Sequence, residues 1–215
     1  MFNVKHRVEA VLGWLGESLD SAGIRLLDEY ADWLLDEALP AGGIGPHEGK
    51  RLEERHLADS LAFAIGVDPH AESVLDVGSG VGLPGIPLAI LRPQSRFVLL
   101  DRSRRRSELA ARAVRVLDLA NVVVVKEGVE TWREEQDGLV MRAALPAAEV
   151  FPHVRRLVRS GWPAIMGLSR RLDVPSIDSL RSAAGSQGLE LEVVSVPVLD
   201  SPASLLRITQ DVHGS

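Results

Sequence analysis

The sequence predicts an α/β fold: a mostly parallel sheet with crossover helices, preceded by helices and closed by an antiparallel pair of strands. Three observations carry this. Short apolar runs alternate with helical stretches from Ser73 onward, the signature of strand–helix–strand units. A glycine-rich stretch, SVLDVGSGVGLPGIPLAI from Ser73, begins as a strand and ends as a helix. The last two apolar runs are separated by only a short loop, which favours a hairpin over a crossover.

Along the chain, VEAVLGWLGESL carries Val8, Val11, Leu12, Leu15 and Leu19 at helical spacing. IRLLDEYADWLLDEAL does the same with Leu26, Leu27, Tyr30, Leu34 and Leu35, acids lying opposite. PAGGIGP, residues 40–46, breaks the pattern with two prolines and three glycines and reads as a mobile connection. A third helix is predicted over EGKRLEERHLADSLAFAI. Strands follow in SVLDVG, FVLLD, VVVVKE, GLVMRA and WPAIMGL, then the pair LELEVVSVPV and SLLRITQ.

Composition narrows the function. The chain has 215 residues, 46% hydrophobic and 25% charged, enough for one full core with a small appended lobe. No apolar run approaches the ~18 residues of a membrane span, and charges interrupt the N-terminus where a signal peptide would be apolar. Cysteine is absent, which excludes disulfides, thiolate metal sites and cysteine nucleophiles. A cytoplasmic protein is expected. The net charge of −6 argues against nucleic-acid binding through bulk charge but leaves room for a local basic patch. The histidines show no ligand spacing, so no metal is expected.

The glycine run offers backbone to a ligand. Gly80, Gly82 and Gly85 satisfy the dinucleotide spacing G-x-G-x-x-G, and Asp101 ends the next strand about 20 residues on, placed for ribose hydroxyls. A nicotinamide oxidoreductase is therefore one reading. Asp76, just before Gly78, favours another. A carboxylate there would face a pyrophosphate, and like charges at ~4 Å cost on the order of 1 to 4 kcal/mol. S-adenosylmethionine (SAM) carries a sulfonium and an ammonium and no phosphate, so Asp76 would attract it. Its ribose would take Asp101, and its amino-acid end would lie over Gly78 to Gly82, Gly80 included.

Several stretches together resemble the RsmG/GidB family, bacterial methyltransferases of a guanine N7 in 16S ribosomal RNA. They are RHLADSLA at Arg55, VLDVGSGVGLPGIPLAILRP at Val74, VLLDRS at Val98, LANVVVVKEGVE at Leu119 and DGLVMRAA at Asp137. The resemblance implies a class I SAM-dependent methyltransferase, Rossmann-like, with a seven-stranded mostly parallel sheet and an antiparallel last strand. It also implies an N-terminal helical extension over 1–60, a methyltransferase domain over 61–215, and rRNA or a small-subunit precursor as partner. Carried over by motif, Gly78 and Leu83 contact the cofactor, Val129 and Glu130 flank the adenine, and Arg142 reaches the cofactor or the incoming RNA. The chain departs from the family pattern at Gly128, where arginine is usual, in PAGGIGP, and in IMGLSRR, where Arg170 and Arg171 stand near the place of a usual Lys-Gly pair. The alternatives are a methyltransferase fold with another substrate, or a non-catalytic SAM- or RNA-binding relative.

The chemistry asks for few further residues. Guanine N7 is a lone-pair acceptor and needs no general base, so no catalytic side chain is assigned and alignment is the expected source of rate. His56 is expected to pack or hydrogen-bond within its helix, beside Asp59. Arg105, Arg112 and Arg115 share roughly one helical face. Together with Arg155, Arg156 and Arg159 they are either solvated or, if both helices border the pocket, aligned for RNA phosphates. Trp14, Trp33, Trp132 and Trp162 are expected to pack in or at the edge of the core.

Overall fold

The computed structural model describes residues 5–48, 52–142, 145–168, 176–199 and 203–210, with the backbone alone at 5, 53–55, 147, 148 and 203. Arg170, Arg171 and His213 lie outside the described residues.

The seven predicted strands form a single sheet. They are β1 (Ser73–Val77), β2 (Arg96–Leu100), β3 (Val122–Val125), β4 (Gly138–Arg142), β5 (Pro163–Gly167), β6 (Leu189–Val196) and β7 (Ala203–Gln210), in the order β3-β2-β1-β4-β5-β7-β6. The first five run parallel, while β7 pairs antiparallel with both β5 and β6. The order reverses between β1 and β4, both hydrogen-bonded neighbours in space but not in sequence. Ligands bind at that switch point in open α/β sheets, outside the carboxyl ends of the strands.

Helices cover both faces. They are α1 (Lys5–Leu15), α2 (Ser21–Trp33), α3 (Asp59–Ala62), α4 (Gly85–Leu91), α5 (Arg104–Val116), α6 (Ala147–Leu157) and α7 (Ile177–Gly185). The period of two along the strands divides the core. Val74, Phe97 and Leu99 face a cluster with Val11, Leu27, Leu34, Leu61 and Leu88. Leu75, Val77, Val98 and Leu100 face the opposite cluster, with Phe151, Val154 and Leu180. The N-terminal helices thus share one core with the sheet. Arg92, at the end of α4, forms a bidentate pair with Glu17 just after α1. None of the described helices is long and apolar enough to cross a membrane.

The predicted third helix before β1 is a continuous helical run of mixed pitch: a π-helical segment (Leu52–Ala58), the α-helical turn α3, and a 3-10 turn (Phe63–Gly66). Its end is set by packing, because a Cβ at Gly66 would collide with the Ile165 side chain on β5. The segment 40–46, predicted to be a mobile connection, folds as successive turns against the body. The Gly43 N–H donates to the Ala38 carbonyl at 2.7 Å, and a Cβ at Gly43 would lie 2.5 Å from Val81 Cγ1 and 3.0 Å from Leu109 Cδ1. Glycine is there because two neighbours leave no room for a side chain.

The tryptophans pack as predicted. Trp33 and Trp132 are buried, and Trp14 and Trp162 lie against the core. Trp33 stacks on Tyr30 with centroids 6.1 Å apart. His56 is also buried, with Nε2 3.3 Å from Glu48 Oε2. Among the described residues no group of acids and histidines could hold a metal ion.

Candidate functional site

A cavity of about 420 Å³ opens at the carboxyl ends of β1, β2 and β4. Its floor is the loop from Gly78 to Leu83. Gly78, Gly80 and Gly82 have φ of +70°, +62° and +110°, left-handed conformations that glycine adopts without a Cβ penalty. At Gly82 glycine is doubly required, since a Cβ would lie 3.2 Å from Tyr30 Oη and against Ile86. Tyr30 donates its hydroxyl to the Val81 carbonyl at 3.1 Å, fixing the loop to α2.

Most of the loop's N–H groups are committed within the protein. Gly78 and Ser79 donate to the Leu100 carbonyl, Gly82 and Leu83 to Ser79, and Ile86 to Gly82. Gly80 donates to Asp101 Oδ2 at 3.1 Å and Gly85 to Asp76 Oδ2 at 2.8 Å. A dinucleotide diphosphate depends on such donors. With these turned inward, the loop suits a ligand that approaches by shape and brings no phosphate.

Of the residues singled out in the sequence, Gly78, Gly80, Leu83, Asp101, Val129 and Arg142 line the cavity together. Asp76 and Glu130 do not. Asp76 shares the parity of Val74 on β1, so its side chain turns under the loop toward α4 and is fully buried. Asp76 meets Gly85, not the cavity, so the structure does not bring it together with the other residues singled out for the cofactor. Burial pushes its carboxyl up to about 7, against the pull of the Gly85 hydrogen bond and the Arg142 charge, with Asp101 adding to the rise. Glu130 is exposed, and its carboxylate folds over Gly128, filling the place where a Cβ would sit.

Asp101, only 3% exposed, is held on several sides. Besides Gly80 it accepts from the Ser103 N–H at 2.8 Å and from the Arg106 guanidinium, whose Nε and Nη2 lie 3.2 and 3.1 Å from Oδ1. Arg106 also lines the cavity. Sequence reading missed it because it sits inside a run of three arginines. The signal was its place at the third position of a helix capped by Ser103, whose Oγ accepts the Arg106 N–H. Sequence reading also missed Gly43 and Ile44, which wall the cavity from segment 40–46.

Several of the other arginines contact the protein elsewhere. Arg112 pairs with Glu37 at 2.7 Å, and Arg159 with Asp137. Arg105 lies along Gly42, where a Cβ would be 2.7 Å from its Nη2. Arg156 donates to the Val129 carbonyl at 2.7 Å and to the Trp132 carbonyl, so it braces the turn that presents Val129. Burial, then the nearby Arg133 charge, lowers its pKa.

The family model for rRNA small subunit methyltransferase G, GidB, matches residues 23–170. The chain belongs to that family. Among curated proteins named ribosomal RNA small subunit methyltransferase G, one from Acidothermus cellulolyticus is 34% identical over 90% of this chain and 86% of its own length. One from Corynebacterium diphtheriae is 32% identical over 96% and 94%. The match to the Methylococcus capsulatus protein reaches 42% identity over 59% of this chain, and it spans 60% of that relative. Solved methyltransferase structures share the GidB chain's fold. Aeropyrum pernix fibrillarin with natively bound S-adenosyl-L-methionine superposes with a TM-score of 0.57 at 21% identity, over 71% of this chain and 74% of that one. TYW2 from M. jannaschii in complex with AdoMet gives 0.56 at 12% identity, over 72% and 76%. The predicted class I methyltransferase architecture is the one observed.

Proposed function

We propose that this GidB-family chain is a SAM-dependent methyltransferase that modifies N7 of a guanine in small-subunit ribosomal RNA, acting in the cytoplasm on the RNA or on a ribosomal precursor. The observation that carries the reading is the buried Asp101 carboxylate at the cavity wall, tied to Gly80 in a loop most of whose N–H groups are turned inward. The donor set fits the cofactor. Asp101 presents a carboxylate to a ribose, Val129 and Leu83 give apolar walls for a purine, and Arg142 offers a cation for a carboxylate or for incoming RNA. Asp76 acts one layer beneath, holding Gly85 and with it the start of α4.

When bound, SAM supplies an electrophilic methyl group. The chain's residues then have to orient and exclude water rather than move a proton, because N7 presents a free lone pair. Rate would come from alignment. The names of the relatives and the fit of the cavity support this reading.

The test is calorimetric titration with SAM of the wild type beside Asp101→Ala. Loss of a charge-assisted ribose contact should weaken binding by roughly 1.5 to 3 kcal/mol. Deleting the gene should remove one N7-methylguanine from small-subunit RNA, and an unchanged modification profile would reject the substrate.

A further inference from the structure

Asp101 carries more donors than a diol acceptor should. A carboxylate offers about four lone-pair sites. One on Oδ2 takes the Gly80 N–H at 3.1 Å, and one on Oδ1 takes the Ser103 N–H at 2.8 Å. The Arg106 guanidinium reaches Oδ1 through Nε and Nη2 at 3.2 and 3.1 Å, and its Nε is also 3.1 Å from Oδ2. At most one good acceptor position is left, while the two hydroxyls of a ribose need two. The two backbone donors belong to the loop and to the cap of α5, so they cannot leave. Arg106 can: its side chain is 48% exposed and the Asp101 side chain 2%. Its aliphatic stem passes beside the loop, with Cδ 4.0 Å from where a Cβ of Gly80 would sit, so it overlies the approach to the carboxylate.

We propose that Arg106 is a specificity-determining residue that competes with the cofactor's ribose for Asp101. This rests on the SAM reading above. With Arg106 seated, Asp101 can accept one hydroxyl. Recognition of both requires the guanidinium to swing off. Apparent affinity is then reduced by the fraction of molecules in which Asp101 is open. The displaced cation emerges at the cavity mouth beside Arg102, which also lines the cavity. Because the pair is half exposed, salt weakens it, so added salt should oppose adenosyl binding less in the wild type than in a variant without the guanidinium.

The test uses the full chain, S-adenosylhomocysteine (SAH) and its 2′-deoxy and 3′-deoxy analogues, titrated calorimetrically against wild type, Arg106→Met and Arg106→Lys. Met keeps the apolar stem and Lys keeps a charge without the fork. Arg106→Met is expected to bind SAH about 3- to 10-fold more tightly, and to lose more affinity than the wild type does when either hydroxyl is removed. Lys should fall between. Equal or weaker SAH binding by Arg106→Met, with an unchanged deoxy penalty, would overturn the proposal and make Arg106 a residue that merely orients Asp101. Failure of folded wild type and both variants to bind SAH at all would remove the SAM reading, and this inference with it.

Discussion

The Asp76 carboxylate accepts the Gly85 N–H at 2.8 Å from within the core, nine residues across a loop that lines the cavity. The two positions constrain each other. A Cβ at Gly85 would stand 2.6 Å from Asp76 Oδ2 and against the Leu99 side chain. The second oxygen, Oδ1, is buried and has no hydrogen-bond partner among the described residues. The acid therefore sits in the fold under the segment that shapes the site.

This predicts an unusual pH dependence. Burial raises the Asp76 carboxyl from 3.8 to about 7. Between those values the native state holds a proton that the unfolded chain has released, so stability falls as pH rises through this window and levels above 7. Urea unfolding of wild type and Asp76→Asn from pH 4.5 to 8 isolates it. The wild-type advantage over the variant should shrink with rising pH and flatten above 7. A difference independent of pH would show that Asp76 is ionised throughout.

Gly85→Ala should destabilise the protein by about 2 kcal/mol or more, since the added methyl has a pinned carboxylate on one side and a core leucine on the other. Gly13→Ala is the contrast. Gly13 lies exposed in α1, and a Cβ there meets nothing within 4 Å. It should stabilise by up to about 1 kcal/mol through helix propensity. Denaturant midpoints for the two variants should move in opposite directions.

The sheet was legible because short continuous apolar runs alternating with helical stretches leave few alternatives, and the brief loop before SLLRITQ favoured a hairpin. The glycine loop and Asp101 were legible for a similar reason: their chemistry is local in sequence. Asp76 was half legible. Its presence was read, but its direction follows from parity with Val74, and parity places it away from the cavity. The packing of segment 40–46 was not legible because glycine and proline report the freedom of an isolated chain, whereas the contacts of Gly43 with Val81 and Leu109 span some 40 to 65 positions. Arg106 was hidden among equivalent neighbours, and only the helix start at Arg104 says which of them turns back to Asp101.

Gly43→Ala tests whether segment 40–46 acts as a wall of the cavity. Its Cβ would press on Val81 Cγ1, Leu109 Cδ1 and, at 3.1 Å, the Ala38 carbonyl. The segment is the least anchored of these and should be the one to shift, displacing Ile44. Binding of SAH should weaken about ten-fold, equivalent to about 1.4 kcal/mol, with the unfolding midpoint little changed. Unaltered binding would show that the cavity is closed by the loop and strands alone.

The Arg92–Glu17 pair should couple the first helix to the body. Arg92 is 9% exposed and Glu17 22% in their side chains, so removing either partner leaves a poorly hydrated charge behind. Glu17→Ala and Arg92→Ala should each cost about 3 kcal/mol, and the double variant much less than their sum, with a coupling above about 1 kcal/mol. Additive losses would mean that each side chain contributes by packing alone. The effect should reach the site as well. Glu17 fixes the turn that leads into α2, α2 carries Tyr30, and Tyr30 holds the Val81 carbonyl in the glycine loop. Loosening α1 should therefore weaken SAH binding in both single variants, whereas an exposed pair such as Arg104–Glu108 should change neither stability nor binding when it is removed.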